Sequence, residues 1–218
     1  MTEWHLEVVP RATMRALDVL AGAEWLKQSA WYLAGGTALG LSAGHRRSQD
    51  LDFFTHRKTF ALDALAARFK DDEWQTDIIE PGTLYGRLVG AKVSFISYPF
   101  FVAKMPSRWY GAVRVLAPED IAVMKIIAIS QRGTKRDFVD LYWYIQHREP
   151  LADVLRRVPD QYPTVTHNYQ HFLKNLTYFD DADPEEMPTL FFKADWPTIR
   201  RYFEREVPKL AKQFLRLD

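Results

Sequence analysis

Residues 32–54 read YLAGGTALGLSAGHRRSQDLDFF. A short apolar segment runs into a Gly35-Gly36-Thr37 turn. A brief helical run and a basic patch follow, and the stretch ends on two aspartates spaced Asp50-Leu51-Asp52. Residues at i and i+2 of a strand point to one face, so Asp50 and Asp52 are expected to project their carboxylates together while Leu51 and Phe53 face a core. Two carboxylates at one strand edge suit a hard divalent cation such as Mg²⁺, which takes oxygen ligands and keeps positions open for phosphate oxygens. A glycine turn ahead of a helix offers bare backbone N–H groups, and Thr37 adds a hydroxyl; together these make a phosphate cradle. A phosphate cradle and a metal pair within one short segment point to phosphoryl or nucleotidyl transfer.

The segment resembles the signature of the nucleotidyltransferase fold of the DNA polymerase β type, with Thr37 and Asp50 lying 13 positions apart. More narrowly, Gly35 to Leu39, Arg46, Ser48 and Asp50 to Phe54 resemble the AbiEii/AbiGii toxin family of bacterial abortive-infection and toxin–antitoxin systems. A second block, DIAVMKIIAISQRGTKRDFVDLYWY, carries Lys125, Ala128, Arg132, Lys135, Asp137, Asp140 and Leu141, and begins its lysine 73 residues after Asp52. It resembles that family's downstream lysine and aspartate motifs. The resemblance spans roughly residues 30–145. It implies Mg²⁺-dependent transfer of a nucleotidyl group from a nucleoside triphosphate to an acceptor such as the 3′ end of a tRNA, with release of pyrophosphate. It also implies a cognate antitoxin protein as partner. In two-metal chemistry of this kind the carboxylates hold ions that clamp the triphosphate and activate the attacking hydroxyl.

The resemblance also implies a third carboxylate on a neighbouring strand. The matching strand here is Lys92-Val93-Ser94-Phe95-Ile96, and it offers Ser94 instead. Asp137 or Asp140 is the available substitute as metal ligand or general base; the rival outcome is a nucleotide-binding module with weakened catalysis. A transferase acting on a small molecule is a further alternative.

Bulk composition agrees with a folded protein. The chain has 218 residues, 47% hydrophobic and 26% charged, with a net charge of only +1, so any basic surface must be local. It contains no cysteine, which excludes disulfides and thiolate metal sites and is compatible with a reducing cytoplasm, the expected location. The N-terminus lacks the pattern of a signal peptide, and no apolar run approaches the ~20 residues needed to cross a bilayer.

Along the chain, periodicity predicts a leading helix over 11–29, a strand at 31–34, a helix over 37–43 closed by Gly44 and the aspartate strand at 51–55. A helix over 61–69, strands at 75–80, 83–89 and 92–98, and a short strand at 112–116 follow. Pro118-Glu119-Asp120 is a helix start, and the remaining elements, at 118–133, 135–147, 151–158, 167–176 and 196–216, read as helices. The expectation is an α+β protein: a small mixed sheet with flanking helices over 1–116, then a helical half over 117–218 that completes the active-site cleft.

Lys125, Ala128 and Arg132 fall on one helix face, where two cations flanking a small residue suit a triphosphate. Asp137 and Asp140 share a face of the next helix. Arg46 and Ser48 precede the metal strand, within reach of phosphate. The expected catalytic set is therefore Asp50, Asp52, Lys125, Asp137 and Asp140, with Asp50 and Asp52 on the metal. The expected nucleotide-binding set is Gly35, Gly36, Thr37, Arg46, Ser48, Lys125 and Arg132. The basic-aromatic stretch from Phe100 to Leu116 is read as core aromatics in preference to an RNA surface. The acidic run Asp180 to Glu186 is read as a solvated loop, and the six histidines show no zinc spacing.

Overall fold

A computed structural model describes residues 3–70 and 72–215. A 3₁₀ turn (Leu6–Val8) precedes helices α1 (Arg11–Ala21) and α2 (Glu24–Lys27), strand β1 (Tyr32–Ala34), helix α3 (Gly35–Ala43), strand β2 (Leu51–Thr55) and helix α4 (Leu62–Ala66). Five strands follow: β3 (Trp74–Glu80), β4 (Thr83–Leu88), β5 (Ala91–Ser97), β6 (Arg108–Tyr110) and β7 (Val113–Val115). After them come only helices: α5 (Pro118–Gln131), α6 (Lys135–His147), α7 (Leu151–Gln161), α8 (Tyr169–Asn175) and α9 (Trp196–Leu215).

The strands form one mixed sheet in the order β3-β4-β5-β2-β1-β7-β6. β2 lies antiparallel to β1 and parallel to β5, so the aspartate strand is central. Its burial alternates, with Leu51, Phe53 and Thr55 inward and Asp52 and Phe54 on the other face. Phe53 opposes Phe95 in the ladder and stacks on it at 5.1 Å, a cross-strand pair that locks the register. A slip of one residue would turn both aspartates into the core.

Sequence and structure part at four places. The leading helix is two helices, because the chain turns at Gly22, whose N–H bonds back to Asp18, and α2 restarts at Glu24. β6 carries no alternation to reveal it and exists as the partner of β7 across the Gly111 turn. α7 continues past Pro159 to Gln161, since a proline near the end of a helix removes only one backbone hydrogen bond. The extra turn delivers the buried Gln161 to Asp120 at 2.5 Å. The acidic run is engaged, not merely solvated: Glu185 accepts the Lys135 backbone N–H at the start of α6, and Asp183 pairs with Arg200. The last position of the final predicted helix, Arg216, lies outside the described residues.

α5 packs against α3, α6, α7 and α8 and so carries the helical half onto the helix that follows the glycines. A strap from the C-terminal half also reaches back: Arg47 donates its N–H to the Thr189 carbonyl, and Phe191 to that of His45. The segment between the glycines and the aspartates is thus held from both halves.

Candidate active site

The glycine turn is an abrupt strand-to-helix junction. β1 ends at Ala34 and α3 begins at Gly35, whose φ of +70° lies in the left-handed region that glycine adopts without steric cost. A Cβ there would stand 3.1 Å from Asp52 Oδ2, so the bare backbone lies directly against the carboxylate. At Gly36 the constraint is tighter, because a Cβ would fall 2.1 Å from Arg46 Nη2.

These residues line a cleft of about 380 Å³. From the sheet side come Gly35, Gly36, Arg46, Ser48, Asp50, Asp52, Phe54, Tyr85, Ile96 and Tyr98; from the helical side come Ile121, Met124, Lys125, Ala128, Gln131, Arg132, Thr134, Arg136 and Asp137. Of the residues expected from sequence, Gly35, Gly36, Arg46, Ser48, Asp50, Asp52, Lys125, Arg132 and Asp137 all meet there.

Two expected residues do not face this space. Thr37 is buried, and its hydroxyl lies 2.8 Å from Ser48 Oγ and 2.5 Å from the Asp50 carbonyl. It sits inside the turn and fixes Ser48 and Asp50; it is not free for phosphate. Asp140 is fully buried behind the cleft. Arg46 grips it in bidentate fashion, Nε to Oδ1 at 2.5 Å and Nη2 to Oδ2 at 2.9 Å. His45 Nε2 lies 2.7 Å from Oδ1, and Lys125 Nζ 2.7 Å from Oδ2. Asp140 is thus outside the cleft lining and, in place of the catalytic role expected of it, its contacts are those of a group that holds Arg46 and Lys125.

Lys125 is the hinge of the arrangement. Its ammonium donates to Asp137 Oδ1 at 2.7 Å and is ion-paired with Asp140, while the side chain still lines the cleft. Burial alone would lower its pKa, but Asp137 and Asp140 override that and hold it above the ordinary lysine value, firmly charged. Asp137 accepts from Thr134 Oγ1 at 2.6 Å as well. Burial would raise its pKa, yet Lys125 pulls it below the usual carboxylate range. A carboxylate so firmly ionised and bonded at both oxygens is poorly suited to be the general base that was expected of it. Burial lowers the His45 pKa more than Asp140 raises it.

Asp50 and Asp52 stand in the opposite condition. Ser94 lies directly across from Asp52 in the β2–β5 ladder and donates to its Oδ1 at 2.5 Å. The neighbouring-strand position therefore holds a hydroxyl where a third carboxylate was expected. Asp52 is lifted above the ordinary carboxylate range, first by desolvation and then by repulsion from Asp50. The nearest cation to Asp50 is Arg136, with Nη1 at 3.7 Å from Oδ2. Arg136 was not among the expected site residues, although its place one residue before Asp137 was a visible signal. Phe54, the last residue of the aspartate motif, and Tyr98, which no motif announced, stand in edge-to-face contact at 5.6 Å and add an apolar wall.

A pair of under-neutralised carboxylates beside bare backbone fits a hard cation that arrives with phosphate oxygens of its own. Among the described residues, no group of three or more histidine, cysteine, aspartate or glutamate side chains is placed to hold a metal ion, so protein ligands alone would leave its coordination open.

A second hollow of about 360 Å³ shares Asp50, Asp52 and Tyr85 with the cleft and extends over the open face of β3, β4 and β5.

The comparisons with known proteins agree with this geometry. The family described as nucleotidyl transferase AbiEii toxin, of type IV toxin–antitoxin systems, matches residues 18–84 and 86–216. An uncharacterized protein of Aquifex aeolicus is 32% identical over 183 residues, covering 81% of this chain and 86% of the relative. In fold, the chain is similar to a candidate nucleotidyltransferase of H. pylori (TM-score 0.54, 16% identity, 96% of this chain and 99% of that one). It is also similar to MenT4, a nucleotidyltransferase toxin of Mycobacterium tuberculosis (TM-score 0.53, 15% identity, 93% and 89%).

Proposed function

This chain belongs to the AbiEii family of nucleotidyl transferase toxins and is a nucleotidyltransferase; on that premise we propose that its cleft binds a nucleoside triphosphate with Mg²⁺ and passes the nucleotidyl group to a hydroxyl of an RNA, such as the 3′ end of a tRNA. The observation that carries this reading is the meeting, in one cleft, of the Asp50–Asp52 pair with Lys125 of α5, Arg132 just past the end of α5 and Arg136 of α6. Residues 1–116 supply the carboxylates and the glycine turn, and residues 117–218 close the cleft with cations.

Asp50 and Asp52 would hold Mg²⁺, which when bound screens the phosphate charge and lowers the pKa of an oxygen nucleophile. Gly35 and Gly36 line the cleft, and their missing Cβ atoms make room for the Asp52 carboxylate and the Arg46 guanidinium beside the place where the phosphates would lie. The Lys125 ammonium, charged at any physiological pH, would attract the triphosphate from the cleft wall. Arg132 and Arg136, with side chains 73% and 51% exposed and loosely paired with Asp137 at 4.0 Å and Asp50 at 3.7 Å, would turn from those carboxylates to the leaving pyrophosphate. In the transfer an acceptor oxygen bonds to the α-phosphorus, the bond to the bridging oxygen breaks, pyrophosphate leaves and the hydroxyl proton is lost to solvent. Asp137 and Asp140 act through Lys125 and Arg46. The chain works in the cytoplasm with a cognate antitoxin protein as partner; no helix among the described residues is long and apolar enough to cross a membrane.

The test is incorporation of labelled nucleotide into bulk tRNA, with calorimetric titration of each nucleotide in Mg²⁺. Wild type should bind and transfer at least one of the four nucleotides, and Asp52→Asn should do neither while remaining folded. Equal nucleotide affinity in wild type and Asp52→Asn would remove the metal from this site, and absence of transfer with all four nucleotides would remove the RNA acceptor.

A further inference from the structure

The hollow beyond the carboxylates has features that triphosphate binding does not use. Tyr85, Lys92 and Ser94 line it; in the β4–β5 ladder Tyr85 opposes Ser94, and Arg87, which is not itself in the lining, opposes Lys92. These two pairs are successive rows on the same face, two residues apart along each strand. Ser94 in turn bonds Asp52. A line therefore runs from the reacting carboxylates, past an aromatic ring, to two cations. Tyr85 is 39% exposed, although large and aromatic, and Ile78 beside it is 51% exposed.

The cation row is the telling part. Like charges placed directly opposite one another in a ladder repel. Arg87 has Asp77 at 3.4 Å, but among the described residues no carboxylate lies within ion-pair distance of Lys92. This arrangement suits an anion from outside. Two residues along a strand span about 6.8 Å, so the cations stand roughly one nucleotide's backbone length from the carboxylate edge. Tyr85 between them offers an exposed ring of the kind on which an unpaired base stacks.

We propose that this hollow is the acceptor subsite, which seats the unpaired terminal nucleoside of an RNA with its ribose hydroxyl at Asp52, its base against Tyr85 and its flanking phosphate on Lys92 and Arg87. The proposal rests on the transferase reading for the identity of the hydroxyl, but the RNA contact itself is measurable without turnover. A protein acceptor would give the cation pair nothing to do unless it carried an acidic side chain at that distance, so the RNA is favoured.

The experiment measures anisotropy of a 5′-labelled single-stranded RNA with a free 3′ hydroxyl, and in parallel calorimetric binding of Mg²⁺–nucleotide. Lys92→Glu should weaken RNA binding at least about tenfold and lower the slope of log affinity against log salt by about 0.7, the value for one phosphate contact on a single strand. It should leave nucleotide affinity unchanged and should not lower the thermal midpoint, since it replaces a like-charged pair with an opposite-charged one. Tyr85→Ala should weaken RNA binding about tenfold through lost stacking, with Tyr85→Phe close to wild type. RNA affinity unchanged in both Lys92→Glu and Tyr85→Ala overturns the subsite. So does a wild type that binds no RNA and labels only protein hydroxyls. If no nucleotide is ever transferred but RNA affinity still depends on Lys92 and Tyr85, the subsite stands and the transferase reading falls.

Discussion

Asp52 and Asp140 are both desolvated carboxylates at the junction of the sheet with the helical half, and they are in opposite electrostatic states. Asp140 has Arg46, Lys125 and His45 around it, and although burial alone would raise its pKa, the two cations hold it well below the usual range. Asp52 has a serine hydroxyl and a neighbouring aspartate, and burial with that repulsion pushes it upward. A carboxylate saturated by protein cations is a building element. One left short of positive charge is a receptor for charge brought by something else. The same side chain is thus assigned to architecture or to chemistry by what the fold places beside it.

The largest effect should come from breaking the saturated centre. Asp140→Asn leaves Arg46 and Lys125 buried without their shared anion, and removal of one partner of a buried ion pair costs about 3–5 kcal/mol. Urea unfolding should record that loss; a cost near zero would mean that the guanidinium and ammonium relax to solvent and that the centre is not structural. Next comes Gly36→Ala, which drives a methyl to 2.1 Å from Arg46 Nη2. Because Arg46 is clamped on Asp140, it cannot yield freely, and overpacking of this kind costs about 1–3 kcal/mol. Nucleotide binding should fall with it, and a variant with unaltered stability and binding would show that Arg46 is mobile.

The smallest stability effect, and the one that sharpens the contrast, is Asp52→Asn. A carboxyl whose folded pKa is raised contributes stability below its unfolded pKa and loses it as pH rises through the folded value. Removing that charge should leave the protein as stable as wild type in acid and slightly more stable at neutral pH. Asp140 has the reverse sign: its lowered pKa gives stability above the unfolded value, lost as pH falls toward the folded one. Unfolding curves at several pH values on Asp52→Asn, Asp140→Asn and wild type should therefore diverge in opposite directions. Mg²⁺ should close the gap between wild type and Asp52→Asn by stabilising only the former. Parallel pH profiles for the two variants would erase the distinction.

Much of this was legible in the chain. The glycine turn, the i, i+2 aspartates and the i, i+3, i+7 face of Lys125, Ala128 and Arg132 are local patterns, and local periodicity decides which side chains share a face. The family resemblance put Ser94 at the third-carboxylate position, and the β2–β5 register sets it opposite Asp52. Less legible were Arg136, marked only by its place next to Asp137, and Tyr85 and Lys92, which become a surface only once β4 and β5 are paired.

By itself, then, the sequence determined most of the elements and the facing of Asp50 and Asp52, since each depends on residues within a few positions of one another. Tertiary structure alone decided that Thr37 turns inward to Asp50 and that Asp140 closes on Arg46, 94 residues away. It also decided that Lys125 is shared between two aspartates at the edge of the cleft. An ion pair gains its strength from proximity and from exclusion of water, and neither is a property of spacing along the chain.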